Sequence, residues 1–302
     1  MFPIFTPRCM QLSAVGKTLI TRTSSFLWVY SSAIVRTMSD HMDKTAQSFR
    51  EPGICEAEVA AISQASETVK VLTLKVDDPT FTFKAGQWVD FFIEGIDIFT
   101  GYSMYSSPTQ LKEAHTIDLA VKLSDYAPTI WVHNQCVVGS KVKVRAGGDK
   151  LVFDPQPGDP SWNVLLISGG IGINPLMSLM HHAADLRDQR KGNPEGYTPG
   201  KMELLFSASS KSELIFKDTI DDLTSKHSPN IAAKFFVTKE SAEDSSISNR
   251  RIDASDIKAA IERLGGPLRC FVCGPPTMIA DMEGLLSNAG IPPSDIFCEK
   301  WW

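Results

Sequence analysis

Asn163 to Met180 reads NVLLISGGIGINPLMSLM, and the fold turns on how this stretch is read. Val164, Leu165, Leu166 and Ile167 form an unbroken apolar run, the pattern of a strand buried on both faces of a parallel sheet. The run breaks at Ser168-Gly169-Gly170-Ile171-Gly172, and apolar residues then return at helical spacing as Leu176, Leu179, Met180 and Ala183. Glycines between a strand and a helix let the backbone turn sharply and approach a ligand where a Cβ would collide. The helix that follows aims its unpaired N–H groups and the positive end of its dipole at the loop, a ready anion site. Pro175 suits the first turn, where a missing N–H is no loss. The stretch predicts a pyrophosphate cradle made of Gly169, Gly170, Ile171, Gly172, Ile173, Asn174 and Pro175. The Gly-x-Gly-x-x-Gly dinucleotide fingerprint is not what stands here, because Pro175 takes its last position. A tight strand-to-helix turn with no ligand is the competing reading.

Working outward toward the C-terminus, strands and helices alternate. Strand Asn163–Ile167 leads to helix Pro175–Arg190, strand Met202–Ser207 to a helix within Glu213–Lys226, and Ile231–Val237 is a third strand. A polar loop, Lys239–Asn249, precedes a helix opening at Asp253 and running to Leu264. Leu268–Val272 is a buried strand and Pro275–Asn288 the last helix. This rhythm predicts a parallel sheet with helices on both faces, occupying 158–302. On the other side of the Pro-Gly run at Pro155–Asp159 the pattern changes to short strands over 52–157: Val69–Val76, Trp88–Ile93, Tyr102–Ser106, Thr116–Leu123, Lys141–Arg145 and Leu151–Phe153. Their number and spacing predict a closed antiparallel β-barrel. One helical piece, Thr129–Cys136, interrupts them, with Thr129 as its cap.

Composition sets the outer bounds. The chain has 302 residues, enough for two domains, and its 43% hydrophobic and 22% charged residues are those of a globular protein. A net charge of -5 gives no reason to expect nucleic acid. The most apolar stretch near the N-terminus, Ser24–Val35, is broken by serines and too short to span a membrane. Residues 1–39 hold Arg8, Lys17, Arg22 and Arg36, many hydroxyl residues and no acid, which reads as a cleaved mitochondrial presequence. A secretory signal is the alternative, though Lys17 and Arg22 would interrupt its apolar core. Residues 40–51 read as a flexible linker. Six cysteines in this length make no disulfide framework. Cys270 and Cys273 have C-x-x-C spacing, but no second pair completes a zinc site, so no metal is expected.

Five stretches together resemble the ferredoxin–NADP reductase superfamily over Ile54 to Trp302. They are Phe83–Val89 (FKAGQWV), Tyr102–Pro108 (YSMYSSP), Gly169–Pro175, Cys270–Met278 (CFVCGPPTM) and the ending Phe297–Trp302 (FCEKWW). The resemblance implies an FAD-binding barrel followed by a nicotinamide-nucleotide domain, and hydride transfer from NADH to FAD and on to a separate acceptor. It implies that Tyr102 and Ser103 face the flavin ring and that Thr129 offers N–H groups to the flavin pyrophosphate. Cys273, Gly274 and Pro275 would turn beside the nicotinamide, with Glu299 reaching the same place. Ser103, Cys273 and Glu299 are thus the candidate catalytic residues. Trp302, with Trp301, would either cover the flavin or plug the groove between domains. The plain alternatives are a core strand with a tyrosine, a helix cap, an inert packed cysteine and a solvated carboxylate. NADP-selective members carry an arginine where this chain has Ser209, which argues for NAD over NADP, although Lys211 is close by.

Two positions depart from the pattern. The family's flavin strand carries an arginine two residues before the tyrosine, where this chain has Thr100, and a glycine three residues before Thr129 is replaced by Tyr126. They favour a rival reading, a nucleotide-binding protein that has lost flavin and serves as a sensor or assembly partner. An NAD(P)-binding enzyme without flavin is a third. No iron–sulfur cysteine pattern is present, so an electron acceptor would be a separate molecule.

Overall fold

The computed structural model of the protein describes residues 41–241 and 243–300. The expected presequence and the terminal Trp301 and Trp302 lie outside the described residues, as do the roles expected of them.

Six strands build the first half: β1 (Cys55–Ser66), β2 (Val69–Lys75), β3 (Trp88–Ile93), β4 (Thr100–Ser103), β5 (Thr116–Lys122) and β6 (Lys141–Gly147). Two helices interrupt them, α1 (Pro108–Ala114) and α2 (Ala127–Asn134). The strands pair antiparallel in the order β4-β3-β6-β1-β2-β5. A bridge between Met104 and Leu119 joins the two outer strands, and the Tyr105 N–H donates to the Asp118 carbonyl at 3.0 Å. That seam closes the sheet into the expected barrel. Alternate residues fill it: Cys55, Ala57 and Val59 from β1, Leu72 and Leu74 from β2, Val142 and Val144 from β6.

Several local expectations are corrected. Leu151–Phe153 is not a strand but a single bridge from Phe153 to Ala85. Helix α1, absent from the sequence reading, is capped by Ser107 and opened by Pro108. Thr129 does not cap α2. The helix begins two residues earlier, its cap is Tyr126, and no side chain bonds its first turn. The stretch expected as a flexible linker is pinned at its end by Arg50, which bridges to Gly147 and donates to the Asp90 carboxylate at 2.9 Å and the Thr45 carbonyl at 2.7 Å.

In the second half, β7 (Asn163–Gly169), β8 (Met202–Ala208), β9 (Ile231–Val237), β10 (Ile247–Ser248), β11 (Leu268–Cys273) and β12 (Ile296–Cys298) lie in the order β10-β9-β8-β7-β11-β12. Every neighbouring pair is parallel. The helices are α3 (Ile173–Gly192), α4 (Lys217–Lys226), α5 (Ala254–Leu264) and α6 (Pro276–Asn288). The apolar run of β7 divides between two cores: Val164 and Leu166 pack with residues of α3 and α4, Leu165 and Ile167 with those of α5 and α6. Asp253 caps α5 in a reciprocal capping box with Asp256, as its place before the apolar pattern suggests. Because β8 lies on one side of β7 and β11 on the other, β7 marks the point where strand order reverses. The crevice there, at the carboxyl ends of the strands, is where open α/β sheets bind ligands.

Both halves belong to one compact unit that runs from Lys44 onward. Val69, on the outer face of β2, is buried in the same core as Leu166 and Met177, so one face of the strand serves the barrel and the other the sheet. The first eight residues of α3 are buried all round, the signature of a helix held between two layers. Ser178 on α3 donates to the Ser106 carbonyl at 2.6 Å and accepts from the Gly86 N–H at 3.3 Å. Asn174 donates to the Ala120 carbonyl at 2.7 Å, and Ser107 to Asp185 at 2.5 Å. Glu213, after β8, accepts from Ser66, Thr68 and Lys122 at 2.8, 2.7 and 2.6 Å.

Candidate functional site

The corner after β7 is a 3-10 turn, Gly170–Gly172, feeding directly into α3. Its glycines do different work. A Cβ on Gly172 would lie 2.5 Å from the Cys273 carbonyl oxygen and 2.7 Å from the Gly274 nitrogen. A Cβ on Gly169 would strike Met278 and Pro275, and one on Gly274 would sit 3.1 Å from the Gly169 Cα. These three therefore lock the turn after β7 against the turn after β11, backbone to backbone. Gly170 is the exception. Its φ of +54° is a conformation that favours glycine, and no heavy atom lies within 4 Å of where its Cβ would be. It faces open space.

That space is a cleft of about 480 Å³. Gly101, Tyr102 and Ser103 of β4 and Ala120 and Lys122 of β5 form the barrel wall. Gly169–Gly172, Asn174, Pro175 and Cys273–Pro275 form the sheet wall. A second cavity of about 300 Å³ shares Lys122, Gly169, Gly170 and Pro275 with it and continues past Ser207, Ser209, Thr238 and Arg251. The two adjoin at these shared residues along the carboxyl edge of the sheet.

Most of the expected residues converge here: Tyr102, Ser103, Gly169, Gly170, Ile171, Gly172, Asn174, Pro175, Cys273, Gly274 and Pro275 line the cleft, and Ser209 lines its extension. Ile173 does not, because its side chain is wholly buried in the core. Thr129 is in the third position of α2 and lines neither cavity. Its hydroxyl instead lies 3.3 Å from the Tyr102 hydroxyl, supporting the tyrosine from behind. The Tyr102 ring also meets Phe91 edge-on at 5.4 Å, and burial raises its phenol above the ordinary range. Glu299 is buried just beyond β12 and is not among the lining residues. It reaches the site as a field: burial first, then the Glu299 charge, pushes the Cys273 thiol well up. Cys273 stands at the end of β11 as a buried thiol whose deprotonation its surroundings disfavour.

Sequence reasoning missed Lys122, which lines both cavities and is bound at 2.6 Å to Glu213. A lysine ending an otherwise buried strand carries no local signal; only closure of the barrel brings it to the cleft. Chemically, the walls offer backbone groups, small side chains, a tyrosine ring and one lysine. They can orient flat groups and hold phosphates, but they present no activated nucleophile.

The residues fit nucleotide and flavin unequally. Gly170 provides a cradle that a side chain would fill, and Asn174, whose buried Oδ1 has no hydrogen-bond partner among the described residues, is a lining residue of the same cleft. Where the resemblance would set the flavin phosphates, Thr100 supplies no charge and the Tyr126 hydroxyl reaches the Phe99 carbonyl at 3.5 Å.

The oxidoreductase NAD-binding domain family matches residues 166–284. The chain resembles a solved ferredoxin NADP+ reductase from Neisseria gonorrhoeae with bound FAD and NADP. The TM-score is 0.66 at 19% identity, covering 83% of this chain and 100% of that one. A barrel followed by a parallel sheet, with a crevice at the strand ends, is thus the fold shared with ferredoxin–NADP reductase-like structures. Oxidoreductase NAD-binding domain-containing protein 1 of Bos taurus is 40% identical over 301 residues, 97% of this chain and 95% of that protein. Its counterpart in Danio rerio is 42% identical over 270 residues, 88% and 99%. The chain belongs to the oxidoreductase NAD-binding domain-containing protein 1 family.

Proposed function

We propose that the protein is an NAD(P)H-dependent flavin oxidoreductase that takes a hydride from the reduced nicotinamide and hands electrons to a separate acceptor. The observation that carries this reading is one cleft with two unlike walls, Gly101–Ser103 from the barrel and Gly169–Gly172 with Cys273–Pro275 from the sheet. Flat groups laid on these walls would meet face to face. The open amide corner at Gly170 would hold the dinucleotide pyrophosphate at the head of α3. Tyr102, braced by Thr129, and Ser103 would hold the flavin ring, and the small, neutral Cys273 would let the nicotinamide come close. A bound flavin supplies the two-electron chemistry; the chain orients, brings near and excludes water. Ser209 favours NADH as the donor, and import of the 1–39 segment into mitochondria belongs to the same reading.

Purified protein, reconstituted with FAD and desalted, should absorb in the flavin region and bleach on anaerobic addition of reduced dinucleotide. Protein that stays colourless while still binding the dinucleotide would favour the second reading, a nucleotide-binding sensor without flavin, to which Thr100 and the Tyr126–Phe99 contact already lean.

A further inference from the structure

A cavity of about 440 Å³ opens at the other end of the parallel sheet, by the amino ends of β8 and β9. The last turns of α3, residues 198–199 before β8 and the connection from α4 to β9 meet there. Arg187, Arg190 and Lys191 of α3 line it, with Lys226 and His227 from the end of α4. No carboxylate is among its lining residues, in a chain whose net charge is -5. Thr198, Ser228 and Asn230 add neutral hydrogen-bonding groups. The cavity shares no lining residue with the nucleotide cleft or its extension.

Basic residues in a last helical turn answer the negative end of the helix dipole, which accounts for Arg190, Lys191 and Lys226. It does not account for Arg187, a turn further in, nor for how the cations are used. The lysines are spent on one carboxylate: Asp188 binds Lys191 at 2.7 Å and Lys226 at 2.8 Å. The arginines meet no carboxylate among the described residues. Arg187 donates to the Gly200 carbonyl and Arg190 to the Gly196 carbonyl, and a guanidinium has several further N–H groups to give. Arg187 is half-buried, its Nε has no hydrogen-bond partner among the described residues, and burial pushes the guanidinium below its ordinary value. The His227 side chain is only 4% exposed. Its Nε2 also makes no hydrogen bond among the described residues, and the Asp188 carboxylate stays 3.9 Å away. A desolvated guanidinium that meets only carbonyls, beside a buried imidazole with an unmet nitrogen, calls for an anion.

We propose that this cavity is an anion site separate from the nucleotide cleft, and that Arg187 and Arg190 hold there the phosphate of a small, soluble, hydroxylated phosphomonoester. Such a phosphate carries about two negative charges and three acceptor oxygens, so guanidinium forks from successive turns of α3 can both engage it. The cavity has room for more than the phosphate itself, and Thr198, Ser228 and Asn230 suit hydroxyl groups on the rest of the molecule. The assignment stands whether or not the barrel holds flavin.

Calorimetric titration of the full chain with inorganic phosphate and with glycerol 3-phosphate, at fixed ionic strength, tests this without any turnover. Phosphate should bind at roughly millimolar or tighter, and glycerol 3-phosphate more tightly still. Arg190→Gln should weaken both by roughly tenfold, the worth of one charge-assisted contact, and Arg190→Lys should restore part of the loss. Arg187→Gln should weaken them at least as much. Because Arg187 also ties down Gly200, its urea midpoint is measured alongside, and the Arg190 pair decides if that variant does not fold. Gly170→Asn, which crowds the corner of the nucleotide cleft, should leave both affinities unchanged. Phosphate binding that survives Arg190→Gln, or that is lost in Gly170→Asn instead, overturns the assignment, as does a wild type that binds neither probe. Glycerol 3-phosphate no tighter than phosphate overturns the choice of a hydroxylated ester. Sedimentation with phosphatidylcholine vesicles that carry phosphatidic acid, abolished by Arg190→Gln, would give the site to a lipid headgroup and overturn the soluble ligand.

Discussion

The sheet wall and the barrel wall of the cleft are built on different principles. At the sheet wall the backbone itself is the site: Gly169, Gly172 and Gly274 close two turns on each other, and only Gly170 is left open. Gly172 and Gly274 cannot be replaced there without moving main chain, nor Gly169 without moving Met278 and Pro275. At the barrel wall side chains take the larger part, with Tyr102 leaning on Thr129 and Phe91 beside Ser103 and Lys122. Side-chain sites drift more readily than backbone ones.

The sharpest way to break this contrast is at two neighbouring glycines. Gly172→Val drives branched carbons into the Cys273–Gly274 main chain and should destabilise the fold by about 3 kcal/mol, read from urea unfolding. Gly170→Asn tolerates the positive φ, so it should cost stability at most about 1 kcal/mol while weakening dinucleotide binding tenfold or more. Equal stability losses in the two variants would show that the corner is uniform. Next in size is the junction. Ser178→Ala strands the buried Ser106 carbonyl and Gly86 amide, and should lower stability by about 1–3 kcal/mol. On the barrel wall, Thr100→Arg restores a cation and should tighten FAD by about tenfold in a fluorescence titration; unchanged affinity would mean that the flavin phosphates run elsewhere.

A smaller effect concerns acid. Burial alone would raise the Glu213 carboxyl, but bonds from Lys122, Thr68 and Ser66 outweigh it and hold it below the ordinary glutamate range. A depressed folded-state value means that its contribution is complete above the unfolded value and fades as the pH falls through the folded one. Unfolding midpoints measured from pH 6 to 3 should therefore drop less steeply in Glu213→Gln than in the wild type. The smallest effect is an absence of change. Cys270 and Cys273 are buried thiols with raised values, Cys270 pushed up to about 12, and should resist alkylation at pH 8 until the protein unfolds.

What the sequence disclosed follows from how local each signal is. The run Val164–Ile167, the capping residue Asp253 and the glycine corner are all legible because a strand, a helix start and a turn are each written within a few residues. The sequence could say that glycines were needed after β7 but not which one faces a ligand, since the partner of Gly172 lies a hundred residues away in Cys273. Lys122 and Arg251 escaped for the same reason: the cavity that gives them meaning is assembled from β5, β8 and the loop before α5. Thr129 was misjudged because Tyr126, without a capping side chain, starts α2 earlier than any cap preference indicates. Arg50 escaped because its carboxylate, Asp90, is forty residues off.

Strand β2 faces two ways, and that has a bearing on ancestry. Leu72 and Leu74 serve one interior and Val69 the other, so neither half owns the strand outright. A chimera that joined this barrel to a distant cousin's nucleotide half at Pro155–Asp159 would bring together surfaces never fitted to each other. The pair is expected to have been inherited and diversified as a single piece, with novelty confined to the rims.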